Sequence, residues 1–505
     1  MFLNYLVLAL VLIGIAIAIG WKSWQKRRHY QSLESVPSPP KHWLLGNIPQ
    51  ISAAIKEKQL FKLLFDWSQQ YGPVYVCWSV QPILVLSQPT VIEETIVNGM
   101  RDGSLIRSRQ ASKAWNDITG PILLGMSGSE WKWRRKAWNP EFSASGLAPY
   151  ISVVHPASLQ VVKTLKEAGP SEEVQIDALF VELTMRIIAS LLLGIPVDSR
   201  AASAKGQPLD VPKFYRAMSV LGYRFLQVAV SGKAWKKHLP LKSSHEYWSA
   251  RRYLEDFLTP YVDSALQFRD GQPVEGEPVP MLAKIAAKEP RYTRETLISE
   301  SVELLIAGTD TTAHSLSFAV GELALHPEVF QKAQRVVDQV WQKYGAFSLD
   351  SLKDLSYIRA IFKETLRLYS VASGSTSLET TRQTTIQNIA VPPGTKVLWS
   401  MLGAGRDASV YSDPDEFRPE RWLENGKELH SLPMIDFGSG SHRCLGEHLA
   451  MLEATIMLAQ LLHNFTWKLV NGRASLENLQ QNLLIYPVDG MPVQMESRVA
   501  VSMTA

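Results

Sequence analysis

The first feature of the chain is a long apolar run at its start. Residues 2–21 are apolar apart from Asn4, and this length is sufficient for a helix that crosses a bilayer. No positive charge precedes the run, and four cations follow it closely: Lys22, Lys26, Arg27 and Arg28. The positive-inside rule therefore predicts a transmembrane anchor over residues 1–21, with the rest of the chain on the cytoplasmic side.

A cleaved signal peptide is the alternative interpretation of this segment, because Ala16-Ile17-Ala18 resembles a cleavage site. Signal peptides carry a positively charged region before the apolar run, and this chain carries none there. The uncleaved anchor is therefore the prediction. Residues 22–45 follow as a basic stop and a stiff hinge, since Pro37, Pro39 and Pro40 favour extended backbone. Residues 46–505 are predicted to form the folded domain.

Beyond the hinge, helical periodicity dominates the pattern of apolar and polar positions. Helices are predicted over residues 51–71, 90–98, 297–325, 327–341, 355–369 and 446–462. Short β-branched runs predict strands at 74–78, 83–87, 384–391 and 396–399. Segments 199–212 and 269–280 are rich in Gly, Pro and charge and are predicted to be surface loops. The fold class is therefore mainly α with a minor β part.

Composition and cysteine content limit the possible partners. The 505-residue chain has 52 Lys and Arg against 48 Asp and Glu, so its charge makes no case for a nucleic-acid partner. Two cysteines provide no disulfide framework. Cys77 also lies in a run that predicts a buried strand. A reduced, cytosol-facing domain is the simpler inference.

The other cysteine, Cys444, lies in a glycine-rich loop over residues 437–446. Glycines allow tight backbone turns that bring N–H groups near the sulfur, and nearby cations favour the thiolate, which is the form that binds metals. One thiolate without a second cysteine indicates a metal whose other ligands come from a cofactor, and haem iron with an axial cysteine matches this description. Zinc is the alternative because His442 and His448 are close, but this spacing provides three ligands at most.

A second candidate site lies inside the predicted helix 297–325. Gly308, Asp310 and three threonines follow one another there, although all have weak helix propensity. Threonine hydroxyls can bond to the carbonyl one turn back and bend the helix. Such a break of local rules points to a functional site, with space for a small ligand, a hydroxyl and a carboxylate to carry protons.

Three further pairings of charged and aromatic residues stand out. Trp131 and Arg135 are four positions apart and would grip one anionic group together, unless they only form the basic face of an amphipathic helix. Glu364 and Arg367 share one helical face, as many solvated surface pairs do. Arg421 lies in a proline-bound segment that argues against a helix, and it would reach a buried carboxylate.

In this order along the chain, these motifs resemble the cytochrome P-450 family of haem-thiolate monooxygenases. The resemblance covers essentially the whole chain, including the anchor and the hinge. It implies the cytochrome P-450 fold, with residues 46–505 as a haem-binding catalytic domain that carries heme b. It also implies that the Cys444 thiolate is the axial ligand of the iron.

The remaining site residues are carried over by the same resemblance. Phe437 would pack near the sulfur, and Gly440 and Gly446 would shape the loop. Trp131, Arg135 and His442 would contact the haem propionates. Thr311 and Asp310 resemble the alcohol and the acid that deliver protons to dioxygen, with Gly308 making room for it. Glu364, Arg367 and Arg421 resemble a buried ion cluster with a structural role.

Two positions depart from the family pattern. His442 stands where family members usually carry Arg, and a neutral histidine would make a weaker propionate contact. The strand after Arg367 usually provides another Arg to the haem, but the expected place here falls near Ser377 and Leu378. Arg382 lies a few residues later, and the role is not assigned to it.

The resemblance implies insertion of one oxygen atom from O2 into a lipophilic small molecule of the fatty acid, terpenoid or sterol class. No flavin or nicotinamide motif is present, so electrons are expected from a separate NADPH-dependent reductase, with cytochrome b5 as a further candidate partner. The candidates for docking the acidic surface of the reductase are Lys132, Arg134 and Lys136. The alternatives are an O2-independent isomerase or dehydratase of oxygenated lipids and a non-catalytic haem sensor.

Four segments are expected to form the substrate walls: 101–126, 214–230, 301–311 and 370–378. Trp235, Lys236 and Lys237 would contact the membrane interface. The endoplasmic reticulum is the expected membrane if the source is eukaryotic.

Overall fold

In a computed structural model, residues 21, 25, 28–79, 81–197, 209–231, 234–271, 278–373, 377–429 and 432–498 are described. Helices make up most of this part of the chain, and short strands form small sheets around its edges. The prediction of a mainly α fold with a minor β part is confirmed.

The helices follow one another along the whole described chain. They are α1 (Ile48–Lys56), α2 (Leu60–Tyr71), α3 (Pro89–Arg101), α4 (Arg109–Ile118), α5 (Gly128–Trp138), α6 (Ala144–Leu147), α7 (Ile151–Ala168), α8 (Ile176–Leu193), α9 (Val211–Ser231), α10 (Lys242–Arg269), α11 (Met281–Lys288), α12 (Arg294–Leu325), α13 (Pro327–Tyr344), α14 (Leu349–Leu352), α15 (Ser356–Leu368), α16 (Met401–Gly405), α17 (Glu447–Asn464) and α18 (Ala474–Glu477).

The largest described sheet has five strands in the order β1-β2-β8-β5-β3. Strands β2 and β8 are parallel, and the other neighbours are antiparallel. The strands are β1 (Val74–Cys77), β2 (Ile83–Leu86), β3 (Leu105–Arg107), β4 (Val174–Gln175), β5 (Leu378–Thr380), β6 (Thr384–Ile386), β7 (Ile389–Val391), β8 (Lys396–Trp399), β9 (Leu423–Glu424), β10 (Lys427–Glu428), β11 (Phe465–Leu469), β12 (Leu479–Gln481), β13 (Ile485–Pro487) and β14 (Pro492–Ser497).

Helix α12 is the central element of the helical core. Its first turn is fixed by a capping box between Thr293 and Thr296, which satisfies backbone N–H groups that have no partner within the helix. Helix α12 ends at Leu325. Helix α13 begins at Pro327, since proline is well accommodated in the first turn of a helix. Helix α12 packs along α8 and also contacts α10, α15 and α17. A helix surrounded in this way can carry a site on a rigid support.

The prediction of one helix over residues 51–71 is wrong. The structure has α1 and α2 with a break at residues 57–59, where Lys58 adopts a positive φ of 59°. A non-glycine residue in this region cannot continue a right-handed helix. The break lets Gln481 donate its N–H to the Lys58 carbonyl, so a distant segment determines where the first helix ends.

The strands predicted at 74–78 and 83–87 are confirmed, and they pair antiparallel with Val74 opposite Leu86. Segment 30–36 packs against the same sheet through buried Tyr30, Leu33 and Val36. No helix in the described part of the chain is long and apolar enough to cross a membrane. The predicted anchor falls almost entirely on residues outside the described ranges, and so does much of each predicted loop at 199–212 and 269–280.

Candidate active site

A cavity of about 330 Å³ lies between α12 on one side and the loop before α17 on the other. Apolar side chains make up most of its walls, including Trp115, Ile122, Leu304, Phe362, Leu366, Val371, Leu483 and Leu484. Cys444, Thr311, Gly308, Trp131, Arg135, His442, Phe437 and Gly446 all line it. Residues predicted from separate motifs therefore meet at one space.

The loop that carries Cys444 is shaped by backbone geometry. Gly438 and Gly440 have φ values of 72° and 66°, which residues other than glycine rarely adopt. A Cβ atom on Gly440 would lie 3.4 Å from the Cα atom of Val97 on α3. The Cys444 N–H donates to the Phe437 carbonyl at 2.7 Å, which closes the loop and directs the cysteine into the cavity.

The chemistry of Cys444 differs from that of the second cysteine. Burial raises the pKa of the Cys444 thiol, while the Gly446 N–H and the Arg135 and Arg443 charges act to lower it. Burial raises the pKa of Cys77 to about 12 without any opposing donor or charge. Both thiols are free. Only Cys444 has neighbours that favour the thiolate, and its side chain is exposed to the cavity.

Trp131 and His442 form an aromatic stack beside the sulfur. Their ring centroids are 3.8 Å apart and the ring planes differ by 13°. Burial, together with the charges of Arg107 and Arg135, lowers the pKa of His442 to about 3, so the imidazole is neutral near pH 7. The Nδ1 atom of His442 and the Nε atom of Arg135 are buried without a hydrogen-bond partner.

Arg107 is a cation of this site that the motifs did not reveal. It ends β3 and stands opposite Leu378 in the sheet register, at the place where the family pattern leads one to expect an arginine from the neighbouring strand. Its Nε atom is also buried without a partner, and burial lowers its pKa to about 10. Arg382 instead pairs with Asp102 on the surface at 2.9 Å. Strand pairing, which periodicity alone does not define, was the missing signal.

The three unpartnered nitrogen atoms fit an anionic cofactor. Buried N–H groups without partners are costly, and Arg107 and Arg135 present such groups at one cavity, with the unpartnered Nδ1 atom of His442 beside them. Carboxylates of a ligand would satisfy them with charge-assisted hydrogen bonds. A single sulfur in the same cavity can provide one axial bond to a metal. Among the described residues, no group of three His, Cys, Asp or Glu side chains is placed to hold a metal ion by itself, which leaves the zinc alternative without a ligand set.

Helix α12 presents its hydroxyls and a glycine to the cavity. The Thr311 hydroxyl donates to the Ala307 carbonyl at 2.7 Å, and the Thr184 hydroxyl of α8 donates to the Thr309 carbonyl at 3.0 Å. A Cβ atom on Gly308 would lie 3.1 Å from Ile188, so glycine allows the two helices to approach closely. Bonding to the carbonyl one turn back is thus confirmed for this segment.

Asp310 lies on α12 but not on the cavity wall. Its Oδ1 atom is buried without a hydrogen-bond partner, and the Asp310 carboxyl interacts electrostatically with Tyr215 of α9. Burial raises the pKa of the Asp310 carboxyl, and the charge of His314 opposes this effect. The acid is therefore next to the alcohol along the chain and faces a different set of neighbours.

The ion cluster around Glu364 is fully buried and fully bonded. Glu364 accepts hydrogen bonds from Arg367, Arg421 and the Trp422 indole, each between 2.7 and 2.9 Å. Carbonyls of the 405–416 segment accept the remaining donors of Arg367. The expected contact of Arg421 with a buried carboxylate is confirmed. Residues 419–422 form a short 3-10 turn, although proline there argued against a helix.

Three of the four expected wall segments line the cavity, within 101–126, 301–311 and 370–378. No described side chain of segment 214–230 does so. Helix α9 instead stacks Phe225 on Trp115 at 3.7 Å. Leu483 and Leu484, from the loop before β13, complete the wall and were not expected.

The predicted set of docking cations is partly wrong. Arg134 is 3% exposed and pairs with Glu300 at 2.8 Å and Glu130 at 2.7 Å. The Glu300 carboxylate also accepts hydrogen bonds from the Trp138 indole and the Tyr292 hydroxyl. Glu300 therefore joins α5 to α12 through buried bonds. Lys132 and Lys136 remain exposed on α5.

Comparison with known proteins matches residues 36–493 to the family model of cytochrome P-450. The chain is 26% identical to cytochrome P-450 cyp-13B1 of Caenorhabditis elegans, over 91% of this chain and 93% of the relative. It is 26% identical to cytochrome P-450 3A12 of Canis lupus familiaris over 77% of each chain. It is also 25% identical to cytochrome P-450 93B2 of Gerbera hybrida over 86% of each chain.

Members of this family bind haem through an axial cysteine thiolate and use it for monooxygenation, and the lone sulfur with its unpartnered donors suits that cofactor. From the match over residues 36–493 and the site that these residues enclose, the chain belongs to the cytochrome P-450 family and is a haem-thiolate monooxygenase.

Proposed function

We propose that Cys444 holds the haem iron and that the chain oxidises lipophilic small molecules in the cavity beside it. The observation that carries this proposal is the exposure of the Cys444 side chain to a cavity that Thr311 also lines. When bound, haem supplies the electron-transfer and O–O cleavage chemistry, and thiolate donation favours that cleavage.

The protein side of the site then has three tasks. Arg107, Arg135 and His442 would bond to the two haem propionates, with Trp131 holding the His442 ring in place by stacking. Phe437, Gly440 and Gly446 would shape the loop around the sulfur. These contacts orient the cofactor between the loop and α12.

Proton delivery would come from α12. Thr311 keeps its own proton on the Ala307 carbonyl, and its oxygen can still accept a hydrogen bond from the cavity. Asp310 would hold the proton that Thr311 passes on, since its raised pKa lets the carboxyl carry one. Gly308 would leave room for dioxygen beside them. The O2-independent alternative does not need this pair.

The apolar walls support a substrate of the fatty acid, terpenoid or sterol class. Electrons would come from a separate NADPH-dependent reductase, with cytochrome b5 as a second donor. Lys132 and Lys136 are exposed on α5 and would meet an acidic partner surface.

Membrane attachment is part of this proposal. Residues 1–21 would anchor the chain, residues 22–45 would follow as basic stop and hinge, and residues 46–505 would form the catalytic domain on the cytoplasmic side. Exposed Trp43 and Trp235, at 81% and 57%, would rest at the membrane interface. The Lys237 ammonium donates to the Asp117 carbonyl at 2.5 Å, so Lys236 is the freer cation there. Deletion of residues 2–21 should shift the protein from the membrane pellet to the high-salt wash.

The decisive experiment replaces the sulfur. Cys444→Ser should abolish the red-shifted Soret band of the reduced CO complex, while Cys77→Ser, the matched control, should keep it. Persistence of the band in Cys444→Ser would show that the ligand is another residue. A panel of fatty acids, terpenoids and sterols, screened by spin-state shift in the unmodified protein, then identifies the substrate class.

A further inference from the structure

A buried histidine–carboxylate pair lies one helical turn beyond Asp310. The Nδ1 atom of His314 on α12 is 2.8 Å from the Oδ1 atom of Asp177, at the start of α8. Ser317 also donates its hydroxyl to this oxygen at 2.7 Å. These bonds fix both the position and the orientation of the imidazole, because a carboxylate on Nδ1 holds a buried ring in one rotamer and keeps a proton on that nitrogen.

The pair faces the acid of the proposed proton pathway. Asp310 and His314 are four residues apart on α12, so they occupy adjacent turns of the same helix face. Each acts on the other electrostatically, and the Asp177 charge also acts on Asp310. The Oδ1 atom of Asp310 is buried and unpartnered. One imidazole thus interacts with two carboxylates, and the carboxylate nearer the cavity has an open acceptor.

Solvent access differs between the two ends of this row. The side chain of Asp177 is 13% exposed, whereas that of His314 is 5% exposed. The other end meets the cavity at Thr311, which follows Asp310 directly and lines the cavity wall. The row Thr311, Asp310, His314, Asp177 therefore leads from the reaction space towards the surface.

We propose that His314 recharges Asp310 with protons and that Asp177 holds the imidazole in its charged form. The inference rests on the proton-delivery role given to Asp310 under the proposed function, and extends it to residues outside the cavity. In each cycle the imidazolium gives its Nε2 proton to the Asp310 carboxylate, and one proton from solvent returns to Nε2 while the Nδ1 proton stays in the hydrogen bond to Asp177. One proton moves from solvent to the cavity, and no electron moves.

A further titratable group that acts on the row, within the described part of the chain, is Tyr215 of α9, which interacts with Asp310. Its pKa is raised by burial and by the charges of Asp310 and Asp177, so it stays neutral. The ring of Tyr486 lies 6.2 Å from that of His314. Asp177 and Asp310 raise the pKa of His314 against the effect of burial. The imidazole therefore keeps its proton to a higher pH than an ordinary histidine does and can donate it.

Nuclear magnetic resonance of the haem-loaded CO complex, labelled with carbon-13 at histidine Cε1, tests the coupling without turnover. His314→Gln assigns the signal by its loss. We expect a titration midpoint above the ordinary histidine value, which Asp177→Asn and Asp310→Asn each lower by at least about half a pH unit, because each removes a negative charge. A midpoint that Asp310→Asn leaves in place overturns the inference.

Reaction with dioxygen provides the second readout and needs no substrate. The dithionite-reduced protein is mixed with oxygenated buffer in H2O and in D2O, and the return of the ferric spectrum is timed. We expect His314→Gln and Asp177→Asn to slow this return about threefold to tenfold and to raise the solvent isotope effect. His155→Gln is the control, because this half-buried histidine of α7 contacts Gln460, away from the cavity.

The variants separate the two levels of the proposal. Variants are compared only where the circular dichroism and the reduced CO band match the parent. If Asp310→Asn leaves rate and isotope effect unchanged, the role of Asp310 fails and that of His314 fails with it. If Asp310→Asn slows the return but neither His314→Gln nor Asp177→Asn does, only the present inference is overturned.

Discussion

Two groups of buried arginines in this protein differ in how their donors are satisfied. Arg367 and Arg421 surround Glu364, and side chains and carbonyls of the chain itself accept their hydrogen bonds. Arg107 and Arg135 lie at the cavity, and their Nε atoms have no acceptor in the part of the chain that the structure describes. Burial lowers the pKa of both cavity arginines, whereas Arg367 is only 1% exposed yet fully paired.

This difference separates a structural cluster from a ligand site. A buried cation is costly unless it is paired and hydrogen-bonded, so the fold can hold Arg367 without any ligand. The Nε donors of Arg107 and Arg135 have no acceptor among the described residues, and an anion in the cavity would provide one. Arginine side chains thus stabilise the fold in one region and are available to the cofactor in the other.

The largest expected effect comes from Glu364→Gln. The substitution leaves Arg367 and Arg421 buried without a compensating charge, and breaking such a pair costs about 3–5 kcal/mol. We expect a large fall in the urea midpoint of the haem-loaded protein, followed by far-ultraviolet circular dichroism, or failure to accumulate folded protein.

The control for this substitution is Glu130→Gln, which removes a half-exposed carboxylate that pairs with Arg134 at 2.7 Å. Arg134 keeps its buried partner Glu300, so the fall in midpoint should be much smaller. If the urea midpoint fell equally in the two variants, burial would not determine how much these ion pairs contribute to stability.

Loss of a cavity arginine should act on the cofactor instead of the fold. Arg107→Leu or Arg135→Leu removes a charge-assisted bond worth about 1.5–3 kcal/mol, so haem should transfer to apomyoglobin roughly ten to a hundred times faster. Circular dichroism should retain the helical signal, because the buried Nε atoms of these arginines bond to no described group of the fold.

Arg382→Leu is the matched control, since this arginine is exposed and pairs with Asp102 on the surface. Haem release from it should equal that of the parent protein. If Arg107→Leu released haem no faster than Arg382→Leu, Arg107 would not be a propionate partner, and its unpartnered Nε atom would need another explanation.

The sequence predicts the parts of this comparison that depend on local pattern. Periodicity placed a helix at 297–325, and the structure has it at Arg294–Leu325. The motifs also brought Cys444, Thr311 and Arg135 to one cavity. Such features succeed because each is encoded within a few turns or one loop.

Features that depend on distant partners were missed. Arg134 looked like a surface cation, yet its partner Glu300 lies 166 positions away. Arg107 became a site residue through strand pairing with Leu378. The break between α1 and α2 involves a bond from Gln481. No periodicity within a window of residues contains these contacts.

The smallest expected effect concerns Glu303, a buried carboxylate that shares features of both groups. It faces the cavity, its charge acts on Arg107, and it accepts the N–H groups of Leu123 and Leu124 at 2.7 and 2.6 Å. Burial nevertheless raises its pKa to about 8. It is thus bonded like Glu364 but buried beside unpartnered cations.

The pH dependence of stability follows from that shift. Between the ordinary glutamate pKa and about 8, the folded protein retains a proton that the unfolded chain has lost, so stability falls as pH rises through this window. Below the window both states are protonated and the contribution is flat. Glu303→Gln should remove up to about 1.4 kcal/mol per pH unit of this slope, seen as a smaller difference between urea midpoints at about pH 6 and pH 7. The exposed Glu94→Gln should keep the parent slope. An unchanged slope in Glu303→Gln would mean that the two N–H donors, and not burial, set the charge of Glu303. Glu303 would then resemble Glu364, a buried carboxylate stabilised by donors of the chain itself.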